Sequence, residues 1–256
     1  MSLFRLKKRG FSVKNSEIMS IRAVIFDLDD TLYLERQYIK SGCKLVSELL
    51  TDDSSKRREL YDFMWDRFQE RGEGRPFGDL LETYPELCNG HSSDHITEAY
   101  LDHVPDISLM PRMGSLLRKL SDSTVKLGVI ADGSPAAGRR TLEALRLTDQ
   151  IDIEVFTEEW GAAYRKPHER AFRHVTSELA LRPQELAYVA DDPGKDFRAP
   201  NVLGWRTVRL RLPYQLAFSS EYQEQEDRPS LVISDIRALQ AFLEEACQIE
   251  GAVTMK

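Results

Sequence analysis

The stretch AVIFDLDDTLY, residues 23–33, decides how the rest of the chain is interpreted. It opens with an apolar run, residues 23–26, that is typical of a parallel strand buried on both faces. Asp27, Asp29 and Asp30 then follow at once. Carboxylates this close repel one another and resist burial, so we expect a bound cation to neutralise them.

Composition favours a globular protein that acts on a small molecule. At 256 residues the chain has room for a core domain with a smaller additional unit. Its hydrophobic content of 41% and charged content of 30% are ordinary for such proteins. A net charge of −7 argues against a nucleic-acid partner, which requires a basic face. No apolar run approaches the roughly 18 residues that span a bilayer, so no membrane partner is expected.

The termini and cysteines favour a cytoplasmic location. Residues 1–20 form a basic tail without the apolar segment and cleavage site of a signal peptide. We interpret this tail as solvated, with an arm that touches a membrane or another anion as the alternative. The cysteines Cys43, Cys88 and Cys247 are far apart and lack metal or redox spacing, which indicates a reducing compartment.

The periodicity of apolar residues divides the chain into zones. Residues 34–109 show helical spacing, as at Leu60, Met64 and Phe68. After Pro111, which is predicted to open a helix, apolar strands alternate with helices. This alternation predicts an α/β core with a parallel sheet covered on both faces. The predicted division is a tail (1–20), a core (21–33 and 110–256) and a helical insertion (34–109).

Polar residues collect where the predicted strands end. In open α/β sheets, ligands bind outside the carboxyl ends of the strands. A lysine, Lys166, also stands directly before Pro167, which is predicted to begin a helix. The acidic strand ends that we expect to meet Lys166 at one edge of the sheet are Asp27 with Asp29, Asp132 with Gly133, and Asp191 with Asp192 and Asp196.

Three motifs in order resemble the haloacid dehalogenase superfamily. FDLDDTLY is similar to its first motif, DxDxT after a buried strand. RKPHERAF resembles its lysine motif, and YVADDPGKDF resembles its last acidic motif. Their order and spacing agree with the family from about Ile21 to Arg209, which is most of the chain. The resemblance implies a Rossmann-like core and identifies the helical insertion as a cap domain.

The resemblance also implies roles for the acidic residues. Asp27 would be the nucleophile that forms an aspartyl-phosphate. Asp29 would protonate the leaving oxygen and then activate water, with its backbone carbonyl facing a metal. The implied metal is Mg²⁺, bound by Asp27, Asp29 and Asp191. Lys166 would neutralise the phosphate oxygens and the attacking carboxylate.

Supporting roles are implied for further residues. Thr31 would hold the motif loop, while Asp192 and Asp196 would orient Lys166 or a metal-bound water. The phosphate would be bound by Asp132 and Gly133 together with Lys166. In the cap, Arg36 and Arg75 are the predicted substrate contacts.

Two positions depart from the family pattern, and the milder departure is Ala190, where the last motif normally has a glycine. Ala131 stands where members usually carry a Thr or Ser that binds the phosphate. A hydrogen bond to a charged group contributes about 1.5–3 kcal/mol, which corresponds to a factor of roughly 10 to 150 in rate. The expected consequence is an impaired or compensated enzyme. Backbone N–H groups of Asp132 and Gly133, or the Ser134 hydroxyl, are candidates for the compensation.

The predicted function is a Mg²⁺-dependent phosphomonoester hydrolase. Its predicted partner is a small phosphorylated metabolite, either a sugar phosphate or a nucleotide-type phosphate. Two alternatives stay open at the level of sequence. One is a catalytically attenuated binding or regulatory protein, which rests on Ala131 alone. The other is a phosphomutase, which uses the same two aspartates.

Overall fold

The structure is a computed structural model that describes residues 20–71, 77–88 and 90–249. Most of the predicted N-terminal tail and the cap residue Arg75 lie outside these residues. In the described ranges, no helix is both long enough and apolar enough to cross a bilayer.

A parallel sheet forms the centre of the core. Within the described residues it has six strands, in the order β3-β2-β1-β4-β5-β6, and every neighbouring pair is parallel. The predicted α/β fold is therefore confirmed. The strands are β1 (Ala23–Phe26), β2 (Lys126–Ala131), β3 (Ile153–Phe156), β4 (Leu186–Ala190), β5 (Arg206–Leu210) and β6 (Leu231–Ile233).

Strand β1 is central because both of its faces are apolar. Val24 and Phe26 join one hydrophobic cluster, and Ala23 and Ile25 join another on the opposite face. Each cluster includes residues of the helices that cover that face, which is why the strand has no polar side. The core helices are α5 (Met113–Ser121), α6 (Pro135–Ala144), α7 (Arg170–Glu178), α8 (Arg198–Leu203) and α9 (Ile236–Ala246).

Within the described residues, four further helices lie between β1 and α5, in the predicted insertion. They share a hydrophobic cluster of their own that includes Ile39, Leu60, Met64 and Tyr100. Among the described residues of the insertion there is no strand, as the helical spacing indicates. The division of the chain into core and cap stays a prediction. These helices are α1 (Glu35–Leu50), α2 (Ser54–Arg71), α3 (Phe77–Thr83) and α4 (Ser93–Asp102).

One predicted helix begins later than expected. Pro111 is a typical first-turn residue, but α5 begins at Met113. The reason is Arg112, whose φ of 74° puts it in the left-handed region, so it cannot belong to a right-handed helix.

Candidate active site

The sheet brings the first and last motifs side by side. Phe26, the last residue of β1, pairs with Val189 of β4, and the Asp27 N–H donates to the Val189 carbonyl at 2.9 Å. Asp191 follows β4 directly. Strand order reverses between β1 and β4, which is where parallel α/β sheets open a crevice for ligands.

Three buried carboxylates form a cluster in this crevice. Oxygen atoms of Asp27, Asp191 and Asp196 lie within 4.8 Å of one another. Asp27 Oδ2 is buried and has no hydrogen-bond partner among the described residues. Burial, with the nearby charges of Asp196 and Asp27, raises the pKa of Asp191 well above its ordinary value. Oxygen ligands with excess negative charge fit a hard divalent cation, which would also satisfy the unpartnered oxygen.

Lys166 is the positive centre of the site. Its buried Nζ donates to Asp27 Oδ1 at 2.6 Å and to Asp196 Oδ1 at 2.7 Å, and it lies 3.2 Å from the Tyr188 hydroxyl. Burial opposes the charge on Lys166, but Asp196 and Asp27 raise its pKa well above the usual value. The ammonium is thus held against the carboxylate predicted to attack.

Asp196 connects Lys166 to the loop after β4. Its Oδ1 accepts from Lys166, and its Oδ2 accepts from the Asp192 N–H at 3.0 Å. These contacts fit the predicted role in orienting Lys166, although Asp196 also belongs to the carboxylate cluster. Asp192 does not belong to that cluster, and its side chain accepts from the Gly194 N–H at 2.8 Å.

Asp29 has different surroundings from Asp27. It is half-buried and lines a cavity, and its Oδ1 accepts a hydrogen bond from the Tyr33 hydroxyl. Tyr33 is itself buried, and burial together with Asp29 raises the pKa of the phenol. A carboxylate at the edge of the cavity with one fixed donor is suited to exchanging a proton with a ligand.

Asp30, and not Thr31, makes the side-chain contacts that fix the motif loop. Thr31 Oγ1 is buried with no partner in the described part of the chain. Asp30 has a φ of 54°, and its carboxylate accepts from the backbone N–H groups of Glu35 at 2.8 Å and Leu216 at 2.5 Å. Gln215 also donates to the Asp30 carbonyl at 2.6 Å. The sequence prediction assigned no role to Asp30.

The end of β2 supplies the predicted phosphate-binding segment. Ala131 is buried in the core, and Asp132 Oδ1 accepts from the Lys166 N–H at 3.0 Å and from Thr157 Oγ1 at 2.8 Å. The Asp132 carboxylate therefore holds the lysine segment in place. Gly133 has a φ of 117° and open space beside it, so its backbone is accessible. Ser134 caps α6 by accepting from the Ala137 N–H at 3.3 Å.

A cavity of about 490 Å³ opens next to Asp29. Its walls come from the motif loop, from α1 and α4 of the cap segment, and from the start of α6, and include Asp29, Glu35, Tyr38, Tyr100 and Gly133. Arg36 does not line it. The Arg36 guanidinium instead lies 5.7 Å from the centre of the Tyr214 ring, so no contact in the structure supports its predicted role with substrate.

Besides Asp30, three residues of the site were missed at the level of sequence. Glu35 lines the cavity, and burial together with Asp29 and Asp30 raises its pKa to about 8. Burial opposes the charge of Lys195, but Asp27 and Asp196 raise its pKa above the usual value. Tyr188 is a tyrosine in the middle of an apolar buried strand, and its hydroxyl needs a polar partner. That need is the one signal the sequence offers for any of the three.

Comparison with known proteins decides the family. A model of haloacid dehalogenase-like hydrolases matches residues 24–210. The chain belongs to the haloacid dehalogenase-like hydrolase family. This finding confirms the resemblance drawn from the three motifs and the prediction of a hydrolase.

Curated relatives of this chain include sugar-phosphate phosphatases. The glyceraldehyde 3-phosphate phosphatase of Methanopyrus kandleri is 29% identical over 221 residues, which are 81% of this chain and 88% of that protein. The ribulose-1,5-bisphosphate 5-phosphatase of Halopiger xanaduensis is 28% identical, over 73% of this chain and 83% of that protein.

Solved structures of haloacid dehalogenase-like hydrolases share the fold. The putative hydrolase YfnB of Bacillus subtilis, bound to magnesium, superposes with a TM-score of 0.62 at 18% identity, over 88% of this chain and 99% of that one. A family hydrolase of Deinococcus radiodurans, with bound phosphate and sodium, gives a TM-score of 0.60 at 18% identity, over 91% and 99%. At such identities the likeness concerns the fold alone.

Proposed function

We propose that the protein is a Mg²⁺-dependent phosphomonoesterase that hydrolyses a small phosphorylated metabolite through an aspartyl-phosphate on Asp27. One observation carries the proposal. Asp27 is buried with one oxygen held by Lys166 and the other unpartnered, while Asp29 faces a cavity next to it. The names of the relatives support a small sugar phosphate as substrate over a nucleotide-type phosphate.

The residues divide the chemistry among them. Asp27 attacks the phosphorus atom and displaces the leaving alkoxide, which Asp29 protonates. Asp29 then takes a proton from the water that hydrolyses the aspartyl-phosphate. Lys166 neutralises charge on the phosphoryl oxygens throughout. Asp27, Asp191 and the Asp29 carbonyl are the groups that would hold Mg²⁺, which when bound supplies further positive charge beside those oxygens.

Phosphate binding without Thr or Ser at position 131 is assigned to backbone groups. Asp132, Gly133 and Ser134 all line the cavity next to Asp29, so their backbone N–H groups and the Ser134 hydroxyl are the proposed phosphate contacts. We also propose a cytoplasmic location, which the three free and buried cysteines support.

The test is phosphate release from a panel of sugar phosphates, nucleotides and p-nitrophenyl phosphate, with Mg²⁺ and with EDTA. The variant Asp27→Asn should lose activity by at least about 1,000-fold, because it lacks the nucleophile. Asp149→Asn, an exposed aspartate far from the site, is the matched control and should keep full activity. Activity that persists in EDTA or in Asp27→Asn would contradict the proposal. No release from any substrate, with Mg²⁺ still bound, would favour the attenuated binding protein.

A further inference from the structure

Arg209 is a buried cation to which the proposed chemistry gives no role. It lies in β5 beside Ala190 of β4, and it is 2% exposed. Its Nε donates to the Asp191 carbonyl at 3.0 Å, and its Nη2 donates to the Ala217 carbonyl at 2.9 Å. No carboxylate in the described part of the chain lies within ion-pair distance of the guanidinium. A cation is buried without such a partner only at an energetic cost, so its two carbonyl contacts are its function in the fold.

The first hydrogen bond fixes the main chain of a residue proposed to hold Mg²⁺. Asp191 directly follows β4, and its carboxylate belongs to the buried cluster with Asp27 and Asp196. Where that carboxylate lies depends on the backbone that carries it. Strand β5 neighbours β4 on the side opposite β1, so Arg209 holds the start of the Asp191 loop from the side that β1 does not reach.

The second hydrogen bond holds the segment 212–218, which lies against the motif loop. In this segment the Leu216 N–H donates to Asp30 Oδ2 at 2.5 Å. Gln215 Nε2 donates to the Asp30 carbonyl at 2.6 Å. Arg209 therefore connects the loop after β4 directly, and the loop after β1 through one turn of chain. These two loops carry the groups that are proposed to hold Mg²⁺.

The chemistry of this connection suits arginine in particular. The guanidinium is planar and presents its N–H groups in a fixed fork, so one side chain can donate to two carbonyls at once. Its charge strengthens both hydrogen bonds, and burial strengthens them further. A lysine would keep the charge, but its flexible ammonium lacks the fork that sets the two acceptors relative to each other.

Arg211 contacts the same segment without contacting the site. Its Nε donates to the Phe218 carbonyl at 2.8 Å, and its Nη2 lies 3.2 Å from the Glu221 carboxylate. In the described residues, no hydrogen bond joins Arg211 to Asp191 or Asp30. A comparison of the two arginines therefore separates holding the segment from holding the Asp191 loop.

We propose that Arg209 is a positioning residue of the metal site. It fixes the loops after β1 and β4 relative to each other, so that groups from both loops can hold one Mg²⁺. Arg209 does not line the cavity next to Asp29, so it acts through the Asp191 backbone and the segment 212–218 and not on the substrate. This inference rests on the proposed function, because it concerns the same site.

The experiment measures Mg²⁺ binding to the full chain by calorimetry, without substrate. Arg209→Met has a similar length and no donor, and we expect its Mg²⁺ dissociation constant to rise by at least about tenfold. Arg211→Met is the matched control and should bind Mg²⁺ as the wild type does. Arg209→Lys should fall between Arg209→Met and the wild type, because it keeps the charge and loses the fork. Thermal melts in EDTA establish that each variant is folded.

Activity on p-nitrophenyl phosphate gives a second measurement. In Arg209→Met the Mg²⁺ concentration for half-maximal rate should rise with the dissociation constant, while KM for the substrate stays near the wild-type value. A role in stability alone would lower the melting temperature and leave Mg²⁺ binding unchanged.

The outcomes separate this inference from the proposed function. Wild-type Mg²⁺ affinity in Arg209→Met, or an equal loss in Arg211→Met, would overturn the inference. If Arg209→Met does not melt cooperatively, Arg209→Lys decides, and wild-type Mg²⁺ affinity in that variant would overturn it. A wild-type protein that binds Mg²⁺ but hydrolyses neither p-nitrophenyl phosphate nor any sugar phosphate would overturn the proposed function alone, and one that binds no Mg²⁺ would overturn both.

Discussion

At the scale of single residues, Asp27 and Asp29 show how position sets chemistry. Asp27 follows a fully buried strand and lies against Lys166, so its carboxylate is fixed and shielded from water. Asp29 is half-buried at the cavity and is held by a tyrosine hydroxyl. Two carboxylates in such different surroundings are suited to different roles, one as nucleophile and one as acid and base.

Tyr33→Phe tests the role of the tyrosine that holds Asp29. The change removes a hydrogen bond to a charged group, so we expect kcat for an alkyl phosphate to fall by about 10-fold or more. The loss should be smaller for p-nitrophenyl phosphate, whose leaving group needs no proton. Tyr222→Phe, at an exposed position, is the control. Equal losses on both substrates would contradict a role through Asp29.

Ala131→Ser tests the departure from the family pattern. The alanine is 1% exposed, so the small hydroxymethyl group of serine fits better than threonine and limits overpacking. If the site is compensated but impaired, kcat/KM should rise by up to about 10-fold, because a donor to the phosphate is restored. An unchanged or lower value, in a variant that melts at the wild-type temperature, would contradict the expectation that a hydroxyl at position 131 binds the phosphate.

The sequence predicts those site residues that follow strands, because strand ends of a parallel sheet share one edge. Asp27, Asp132 and Asp191 meet as expected for that reason. Glu35 and Lys195 were not predicted from the sequence. Their positions depend on how helix α1, which begins at Glu35, and the loop after β4, which contains Lys195, pack over the site. Asp30 holds the motif loop in place of Thr31 with a positive φ, and no sequence pattern marks that backbone conformation.

At the scale of elements, the turn that leads into β4 is held by an acidic residue. The Glu185 carboxylate accepts from the Arg182 N–H at 2.9 Å and from Arg182 Nε at 3.1 Å, and its carbonyl accepts from the Arg22 N–H at 2.8 Å. The hydrogen bonds from Arg182 lower the pKa of Glu185 from 4.5 to about 2. This residue therefore joins the starts of two central strands.

Glu185→Gln should reveal that link through the pH dependence of stability. Because the pKa is lower in the folded state, the carboxylate stabilises the fold above its unfolded pKa, and this stabilisation is lost as pH falls toward the folded value. We expect the variant to melt at a lower temperature than wild type at neutral pH, and the gap to shrink as pH falls from about 4.5 toward about 2. Thermal melts across this range measure it. A gap that does not depend on pH would contradict the ion-pair explanation.

Strands were predicted more reliably than helix ends. The apolar runs that form β1 and β4 are unbroken and buried on both faces, which leaves little ambiguity. The start of α5 was wrong by two residues because the left-handed Arg112 separates Pro111 from the helix. Local backbone geometry of this kind is set by packing and has no sequence signal here.

At the scale of the whole molecule, the carboxylate cluster connects metal binding to stability. Asp191 is buried among negative charges, which destabilise the fold unless a cation is bound. Mg²⁺ should therefore raise the melting temperature relative to EDTA, since it binds the folded state alone. Asp191→Asn should melt at a higher temperature than wild type in EDTA, because one repelling charge is gone, and should lose the Mg²⁺ response.

Asp149→Asn is the control for that experiment and should respond to Mg²⁺ as the wild type does. A full Mg²⁺ shift in Asp191→Asn would place the metal elsewhere. The parallel sheet was predicted from the alternation of strands and helices, and the candidate site at its carboxyl edge was predicted from the polar residues that follow the strands. The cavity was not, because it is formed by helices from two distant parts of the chain.

The most direct test of the central claim is to trap the phosphoryl group on Asp27. In Asp29→Asn, p-nitrophenyl phosphate should still react, since its leaving group needs no acid, while hydrolysis of the aspartyl-phosphate should be slow without a base. We expect a burst of about one nitrophenol per enzyme molecule, and acid-quenched peptides with the phosphoryl group on Asp27. A phosphoryl group on another residue, or wild-type turnover in Asp27→Asn, would contradict it.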